Sequence, residues 1–188
     1  LEALRQLGLS MDTPLLGISV RRTDGMAQSV DQFARLADRM VRELHCQVAF
    51  LVMQEPGDAD ISREILRRME EPAQLISTPD RPEDMLGIIR CMDALVSTRL
   101  HTIIFAAKAR VPVVGCVYDP KVASFLKTLQ MPHCGTPQDL HLDDAMAALQ
   151  TMLSHRDAIR QQLDRQVSQM EAHAGETLHQ FQQMLKQQ

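Results

Sequence analysis

Two stretches, QVAFLVM at residues 47–53 and VPVVGCV at residues 111–117, are almost continuously apolar. A strand with one solvent-facing side alternates apolar and polar residues, whereas runs of this kind are typical of strands buried on both faces of a parallel sheet. Residues 30–44 instead carry apolar side chains at the i, i+3, i+4 and i+7 positions of a helix. Alternating strands and helices indicate an α/β fold. We therefore predict a doubly wound, Rossmann-like parallel sheet of five to six strands with helices on both faces.

The remaining elements follow the same alternation. Strands are predicted at residues 15–20, 47–53, 73–77, 94–97 and 111–117, with residues 133–135 as a candidate sixth strand. Helices are predicted at residues 30–44, 61–69, 82–91, 100–109 and 120–129, and from residue 142 onward. Ser29 is a candidate N-cap of the first of these helices, and Asp58 or Asp60 of the second. Gly175 is a candidate point for a kink or division of the long C-terminal helical segment.

The same pattern predicts the domain organisation. Residues 1–135 form the expected Rossmann-like domain, and residues 136–188 form C-terminal helices. These helices carry an apolar stripe opposite a polar, glutamine-rich face, and the stripe must be buried against this domain, a missing domain or a second chain. Because the chain begins with Leu1 and not Met, we expect it to be part of a longer protein.

Composition excludes several classes of function. The net charge is −4, and aromatic residues make up 3% of the chain with no Trp. The chain has no excess of basic residues to neutralise phosphates and few aromatic residues to stack on bases, so we expect no nucleic-acid partner. No apolar run approaches the ~20 residues that span a bilayer, and no signal peptide is recognisable. We therefore expect no membrane span and a cytoplasmic location.

The motifs argue against a metal or a dinucleotide cofactor. The four cysteines, at positions 46, 91, 116 and 134, lack CxxC spacing and are typical of buried thiols in a reducing compartment. The pairs at 45–46 and 133–134 join His to Cys, but adjacent residues of a strand point to opposite faces and cannot grip one metal. The chain contains no GxGxxG, GxxxxGK[ST] or GxSxG motif.

Polar side chains cluster where the predicted strands end. In a doubly wound sheet, ligands bind outside the carboxyl ends of the strands, where the strand order reverses. The residues in these positions are Arg21, Arg22, Gln54, Ser97, Thr98, Arg99, Leu100, His101, Tyr118, Asp119 and Lys121. Cations dominate this set although the whole chain is negative, which predicts a small anionic ligand. The helix that begins near Leu100, with Ser97 or Thr98 as its cap, adds the N–H groups of its first turn.

Several of these residues also have a purely structural interpretation. Arg22 can belong to a solvated loop, and Arg99 can form a salt bridge with Asp93 or Asp119. His101 lies in an otherwise apolar segment, LHTIIFAA, and can be a packed core residue. Asp119 precedes a proline, a combination typical of a helix start.

Residues 93–126, DALVSTRLHTIIFAAKARVPVVGCVYDPKVASFL, resemble the polysaccharide pyruvyl transferase family. Members of that family carry an Arg-Leu-His element after a strand and then a PVV–G–YDPKV–FL element. GISVR at residues 17–21 and FLVMQEPGDADI at residues 50–61 are similar to two further strands of the same half, although Met53 stands where the family more often has Pro. The resemblance spans residues 15–131. It implies the C-terminal domain of a two-domain, glycosyltransferase-B-like enzyme with its active site between the domains.

The resemblance also implies a reaction. The donor would be phosphoenolpyruvate and the acceptor a cell-surface sugar or lipid-linked saccharide, and the products a pyruvyl ketal and phosphate for cell wall polysaccharide. Arg21, Arg99, Leu100 and Lys121 would bind the donor, and His101 would be the catalytic proton-transfer group. Further candidates at the donor site are Arg22, Gln54, Ser97, Thr98, Tyr118 and Asp119. This half of the site should be inactive without the missing N-terminal domain.

Two other functions remain open at this point. A glycosyltransferase or epimerase of the same architecture would use a nucleotide-sugar donor, and Asp119 is the candidate carboxylate for its ribose. A non-catalytic interaction module would be built around the C-terminal helix. A comparison of the affinities for phosphoenolpyruvate and for UDP-sugars separates the nucleotide-sugar enzyme from a pyruvyl transferase. The oligomeric state with and without residues 155–188 tests the interaction module.

Overall fold

The computed structural model describes residues 2–10, 12–22, 27–77 and 81–185. Parallel strands form one sheet: β1 (Leu15–Ser19), β2 (Gln47–Leu51), β3 (Gln74–Ile76), β4 (Ala94–Ser97) and β5 (Val113–Gly115). The helices are α1 (Glu2–Gln6), α2 (Ala27–Leu44), α3 (Gly57–Leu66), α4 (Pro82–Arg90), α5 (Leu100–Ala109), α6 (Pro120–Leu129), α7 (Leu142–Ser154) and α8 (Arg156–Leu185). The predicted doubly wound α/β fold is confirmed.

The strand order reverses beside β1. The sheet order is β3-β2-β1-β4-β5, so the chain winds outward from β1 through β2 to β3 and then returns to add β4 and β5 on the other side. Residues 15–18 pair with residues 47–50, and residues 16–19 pair with residues 94–97. The carboxyl ends of β1 and β4 therefore lie side by side, where a doubly wound sheet has its crevice.

The strands are shorter than the apolar runs that predict them, because burial continues beyond the ends of the strands. β1, β4 and β5 are buried along their whole length, as two-sided parallel strands should be. Val111 and Cys116, which flank β5, are also buried, although neither lies within the strand. An apolar run therefore marks the core, whereas the strand ends where the ladder of hydrogen bonds ends.

The candidate sixth strand is not a strand. A single parallel bridge joins Gly115 to His133, and an isolated antiparallel bridge joins Gly135 to Leu140. Gly135 has a φ of +88°, a left-handed conformation that turns the chain and that glycine adopts without strain. The segment therefore leaves the sheet edge after one pair.

The predicted helix caps are wrong in two places. α2 begins at Ala27, so Ser29 lies inside the helix, where its buried hydroxyl donates to the carbonyl oxygen of Pro137. α3 begins at Gly57 with Pro56 at its N-cap, so neither Asp58 nor Asp60 caps it. Both helices therefore start earlier than their apolar stripes predict.

The C-terminal helices pack on the Rossmann-like sheet and its helices. α7 contacts α2, β4 and β5, and α8 contacts α5, α6 and α7. In α8, Leu163 and Val167 are buried, and Arg110 at the end of α5 forms an ion pair with Asp164 (2.8 Å). The expected division at Gly175 is wrong, because α8 continues through it and the break between helices falls at residue 155. One glycine costs a helix only about 1 kcal/mol.

We expect Gly17→Ala to destabilise the fold. Gly17 lies in the central strand, and a Cβ there would overlap the buried side chains of Leu95 and Met92. Overpacking a well-packed core costs about 1–3 kcal/mol, which chemical denaturation would measure as a lower free energy of unfolding. The matched control is Gly87→Ala in α4, where a Cβ meets nothing, so that variant should gain about 1 kcal/mol from helix propensity. Equal effects of the two substitutions would contradict the packing described for β1.

Candidate active site

A cleft of about 210 Å³ lies at the carboxyl edge of the sheet. Its lining contains Arg21 from the segment after β1, the segment 99–101 from the start of α5, and residues 118, 119, 121 and 122 around the start of α6. The structure thus brings together seven of the predicted site residues: Arg21, Arg99, Leu100, His101, Tyr118, Asp119 and Lys121. The N-termini of α5 and α6 both open onto this cleft, and first-turn amides and the helix dipole favour an anion there.

Ser97 and Thr98 lie beneath the cleft and shape its backbone. Both are fully buried. The Thr98 hydroxyl oxygen accepts the Arg21 N–H at 2.8 Å, and the Ser97 hydroxyl accepts the Arg99 N–H at 3.0 Å. The expectation that one of them caps α5 is wrong, because Arg99 occupies the N-cap and no side chain caps that helix. The two hydroxyls instead hold the backbone N–H groups of Arg21 and Arg99 in place.

Arg99 is buried and paired. Its Nε lies 2.6 Å from Oδ2 of Asp58, and its Nη2 donates to Oδ1 of Asp58 at 2.6 Å and to Oε1 of Gln54 at 3.1 Å. The exposed fraction of the side chain is 10% for Arg99 and 1% for Asp58. A salt bridge of Arg99 is thus present, but with neither of the partners expected. Asp93 pairs with Arg156 (2.6 Å) at the opposite end of β4, and Asp119 is engaged at the start of α6.

The side chains of Arg21 and Arg22 have different partners although the residues are neighbours in the chain. Arg21 donates from Nη1 to the Tyr118 hydroxyl at 3.2 Å, and its guanidinium carbon lies 5.9 Å from the centroid of the same ring. Arg22 is half-exposed, pairs with Glu64 of α3 at 3.4 Å and does not line the cleft. The cation–π contact leaves the charge of Arg21 at the surface of the cleft.

His101 and Lys121 stand at the mouth of the cleft. His101 is exposed in the first turn of α5, so the interpretation of this residue as a packed core histidine is wrong. Lys121 is exposed in the first turn of α6. Asp119 is the N-cap of α6 and accepts the Lys121 backbone N–H at 2.7 Å, so the helix-start interpretation of this aspartate is confirmed.

Asp58 is the functional candidate that the sequence interpretation misses. It enters that interpretation only as a possible helix cap, since its partner is 41 residues away. In the structure its Oδ2 accepts the N–H groups of Met53 (3.2 Å) and Gln54 (3.0 Å), so the carboxylate is tied to the loop after β2. The available signal is an aspartate close to Gln54, which already stands among the residues that follow strands.

The cysteines do not contribute to the cleft. Cys46, Cys116 and Cys134 are buried, and none of the four cysteines forms a disulfide. Burial raises the pKa of Cys46 to about 12, and a hydrogen bond with Cys134 together with burial raises the pKa of Cys116 far above its ordinary value. Within the described residues, no group of His, Cys, Asp and Glu could hold a metal ion, and no helix is long and apolar enough to cross a membrane.

The fold and the cleft define a Rossmann-like domain that presents cations and helix N-termini at a sheet crevice. The model of the polysaccharide pyruvyl transferase family matches residues 21–120. This match covers more than half of the chain and includes every residue that lines the cleft except Val122 and Lys121. The chain belongs to the polysaccharide pyruvyl transferase family. No curated protein matches the chain.

The similar solved structures include several glycosyltransferases and a protein from Listeria monocytogenes described as a UDP-N-acetylglucosamine 2-epimerase. A glycosyl transferase family 9 protein from Veillonella parvula is 14% identical with a TM-score of 0.64, covering 82% of this chain and 50% of that one. ADP-heptose LPS heptosyltransferase II from E. coli is 18% identical with a TM-score of 0.59, and the match covers 80% of this chain and 50% of that one. The C-terminal domain of a group 1 glycosyl transferase from Francisella tularensis is 13% identical with a TM-score of 0.61, covering 83% and 85%. The likeness shows a shared fold, and this chain spans about half the length of the first two structures.

We expect Arg99→Leu to lower the free energy of unfolding strongly. The substitution leaves the carboxylate of Asp58 buried without its counter-ion, which costs about 3–5 kcal/mol. Arg22→Leu is the matched control, because its ion pair with Glu64 is exposed and worth about 0–1 kcal/mol. Equilibrium denaturation of both variants measures the difference. If Arg99→Leu unfolds like Arg22→Leu, the ion pair with Asp58 is not formed in solution.

Proposed function

We propose that this chain carries the donor half of the active site of a polysaccharide pyruvyl transferase. The enzyme would transfer the pyruvyl group of phosphoenolpyruvate to a sugar and form a pyruvyl ketal and inorganic phosphate. The observation that carries the proposal is the grouping of Arg21, Arg99 and Lys121 with His101 around one cleft, in a chain of this family. The same grouping supplies both of the things that the reaction needs, anion binding and proton transfer.

The cations of the cleft suit the two anionic groups of phosphoenolpyruvate. An arginine presents a planar set of donors that fits a carboxylate or a phosphate, whereas a lysine acts as a mobile point charge. Arg21 and Arg99 therefore bind the donor, together with the first-turn amides that begin at Leu100. Lys121 adds positive charge toward the departing phosphate, where negative charge develops in the transition state.

His101 moves the proton. The methylene carbon of phosphoenolpyruvate takes a proton, which leaves a cationic centre at the adjacent carbon. One sugar hydroxyl adds to that centre and releases its proton, the C–O bond to phosphate then breaks, and a second hydroxyl closes the ketal and gives its proton to the departed phosphate. His101 is exposed at the mouth of the cleft, so it can donate the first proton and receive one from an attacking hydroxyl.

The acceptor side of the site lies on another part of the protein in this proposal. The chain covers about half of the glycosyltransferases that it resembles in fold. We assign residues 1–135 to the donor domain, residues 136–188 to the helices that pack on it, and the acceptor, a sugar or a lipid-linked saccharide, to the N-terminal domain that faces it. Free buried thiols are compatible with action in the cytoplasm.

The first test is donor binding. In the complete protein, calorimetry should detect binding of phosphoenolpyruvate but not of UDP-N-acetylglucosamine, and Arg21→Ala should weaken binding about tenfold or more, as for the loss of a charge-assisted hydrogen bond. Arg22→Ala is the matched control and should change the affinity less than about twofold, because Arg22 points away from the cleft. The isolated chain should bind weakly and release no phosphate with an acceptor. Preference for the nucleotide sugar would favour a glycosyltransferase or epimerase.

The second test is His101→Gln in the complete protein. Glutamine has a similar shape but cannot transfer a proton, so turnover should fall about 10²–10⁴-fold while the affinity for phosphoenolpyruvate stays within about threefold. The melting temperature should not change, because His101 is exposed. His155→Gln, an exposed histidine between α7 and α8, is the matched control and should be unaffected. A lower melting temperature with normal activity of the folded protein would remove His101 from the mechanism.

A further inference from the structure

Asp58 is a deeply buried carboxylate, and its side chain contacts Arg99, which lines the cleft. It lies in the first turn of α3, beneath the cleft, and its side chain is 1% exposed. Oδ1 accepts from Nη2 of Arg99, and Oδ2 lies 2.6 Å from Nε of Arg99 and accepts the backbone N–H groups of Met53 and Gln54. One carboxylate therefore holds both an arginine of the cleft and the loop after β2.

These contacts decide which edge of Arg99 faces the cleft. A guanidinium has five N–H groups in a fixed plane. Asp58 faces Nε and one N–H of Nη2, and Gln54 accepts from Nη2 as well. No hydrogen bond joins Nη1 to any residue in the described part of the chain. Since Asp58 is held by two backbone N–H groups, it fixes the plane of the guanidinium and leaves Nη1 for a ligand.

The pairing also changes the electrostatic role of Arg99. The negative charge of Asp58 offsets most of the positive charge of Arg99 at a distance, so the net charge that attracts an anion comes from Arg21 and Lys121. Arg99 then acts as an oriented hydrogen-bond donor of fixed position. A mobile arginine would lose the rotational freedom of a long side chain when the ligand binds, and here the fold has already removed it.

We propose that Asp58 is a positioning residue of the donor site, and the proposal rests on the proposed function. It touches no substrate itself. It holds Arg99 so that the Nη1 edge, which has no hydrogen-bond partner among the described residues, is presented to an anionic group of phosphoenolpyruvate before the donor arrives. Displacements of about 1 Å in such groups can cost on the order of 10²-fold in rate. The effect of Asp58 on the donor should therefore pass entirely through Arg99.

The experiment uses Asp58→Asn in the complete protein, with Asp38→Asn as the matched control. Asp38 is also a buried aspartate, and it accepts the N–H groups of Glu70 (3.0 Å) and Glu71 (2.9 Å) far from the cleft. Both variants should lose stability. Only Asp58→Asn should raise the KM for phosphoenolpyruvate, by about tenfold or more, and weaken binding of inorganic phosphate measured by calorimetry. A wild-type KM in Asp58→Asn, or an equal rise in Asp38→Asn, overturns the proposal.

A double-mutant cycle separates positioning from a general structural role. Arg99→Met combined with Asp58→Asn removes both charges, so this variant buries no unpaired ion and remains measurable even where Asp58→Asn alone folds poorly. In the Arg99→Met background, Asp58→Asn should change the KM by less than about twofold, because the group through which it acts is gone. Additive effects of the two substitutions would show that Asp58 acts by another route and would overturn the proposal.

A further variant tests geometry against charge. Asp58→Glu keeps the negative charge but adds a methylene group to a side chain that is 1% exposed, so we expect it to shift Arg99. Its KM should also rise, and a wild-type KM would contradict positioning. Direct binding by the wild-type protein keeps the two proposals distinct. If phosphoenolpyruvate binds but no acceptor yields a ketal, pyruvyl transfer fails, whereas the effect of Asp58 on phosphoenolpyruvate and phosphate affinity still decides the proposal made here.

Discussion

The parallel pairing of β1 with β4 is the constraint on which the site depends. It places Ser19 beside Ser97, and two further bonds carry the pairing past the strand ends. Thr98 donates its N–H to the Ser19 carbonyl oxygen (2.9 Å), and the Arg21 N–H donates to the Thr98 hydroxyl (2.8 Å). Segments 77 residues apart thus enter the crevice in a fixed relation. A slip of one residue would reverse the faces of the strand and separate the cations of the cleft.

Two arginines stand in this crevice in different physical states. Arg21 rests against Tyr118 at the surface, where water screens its charge and its side chain can follow a ligand. Arg99 is largely buried in contact with Asp58, where its position is fixed and its charge is largely balanced. The site therefore combines one adaptable cation with one rigid donor. A pocket with only adaptable cations would attract anions equally well but would orient them less, because orientation depends on groups that do not move.

The fold could be predicted from the sequence because it depends on patterns of residue type. Continuous apolar runs identify strands buried on both sides, and the rule for crevices at reversal points places the ends of β1 and β4 together. The cleft residues follow from this placement, since each stands directly after a strand. Ser29 and Gly175 show the limit of such patterns. A serine before an apolar stripe is not a cap when the helix starts earlier, and a glycine does not divide a helix whose neighbours sustain it.

The ion pair of Arg99 could not be predicted in the same way. Opposite charges are abundant in the chain, and nothing in the local sequence distinguishes Asp58 from the nearer Asp93 as the partner. The choice is made by the parallel direction of the strands, which puts the loop after β2 and the start of α5 at the same edge of the sheet, whereas Asp93 precedes β4 at the opposite edge. Tertiary geometry selects among electrostatic partners that local sequence leaves equivalent. The separation of Arg22 from Arg21 has the same origin, because Glu64 of α3 draws Arg22 aside.

The reactivity of the buried cysteines reports whether the core of the protein has opened. The thiols of Cys46 and Cys116 are shielded from solvent and have raised pKa values, so at neutral pH they carry almost no thiolate, the form that reacts with alkylating reagents and oxidants. Cys91, in contrast, is partly exposed. Unless the core opens, the reactivity of the other two thiols is suppressed both by access and by protonation. The rate at which Cys116 is alkylated therefore measures how often the core opens beside β5, and the rate for Cys46 measures opening at the start of β2.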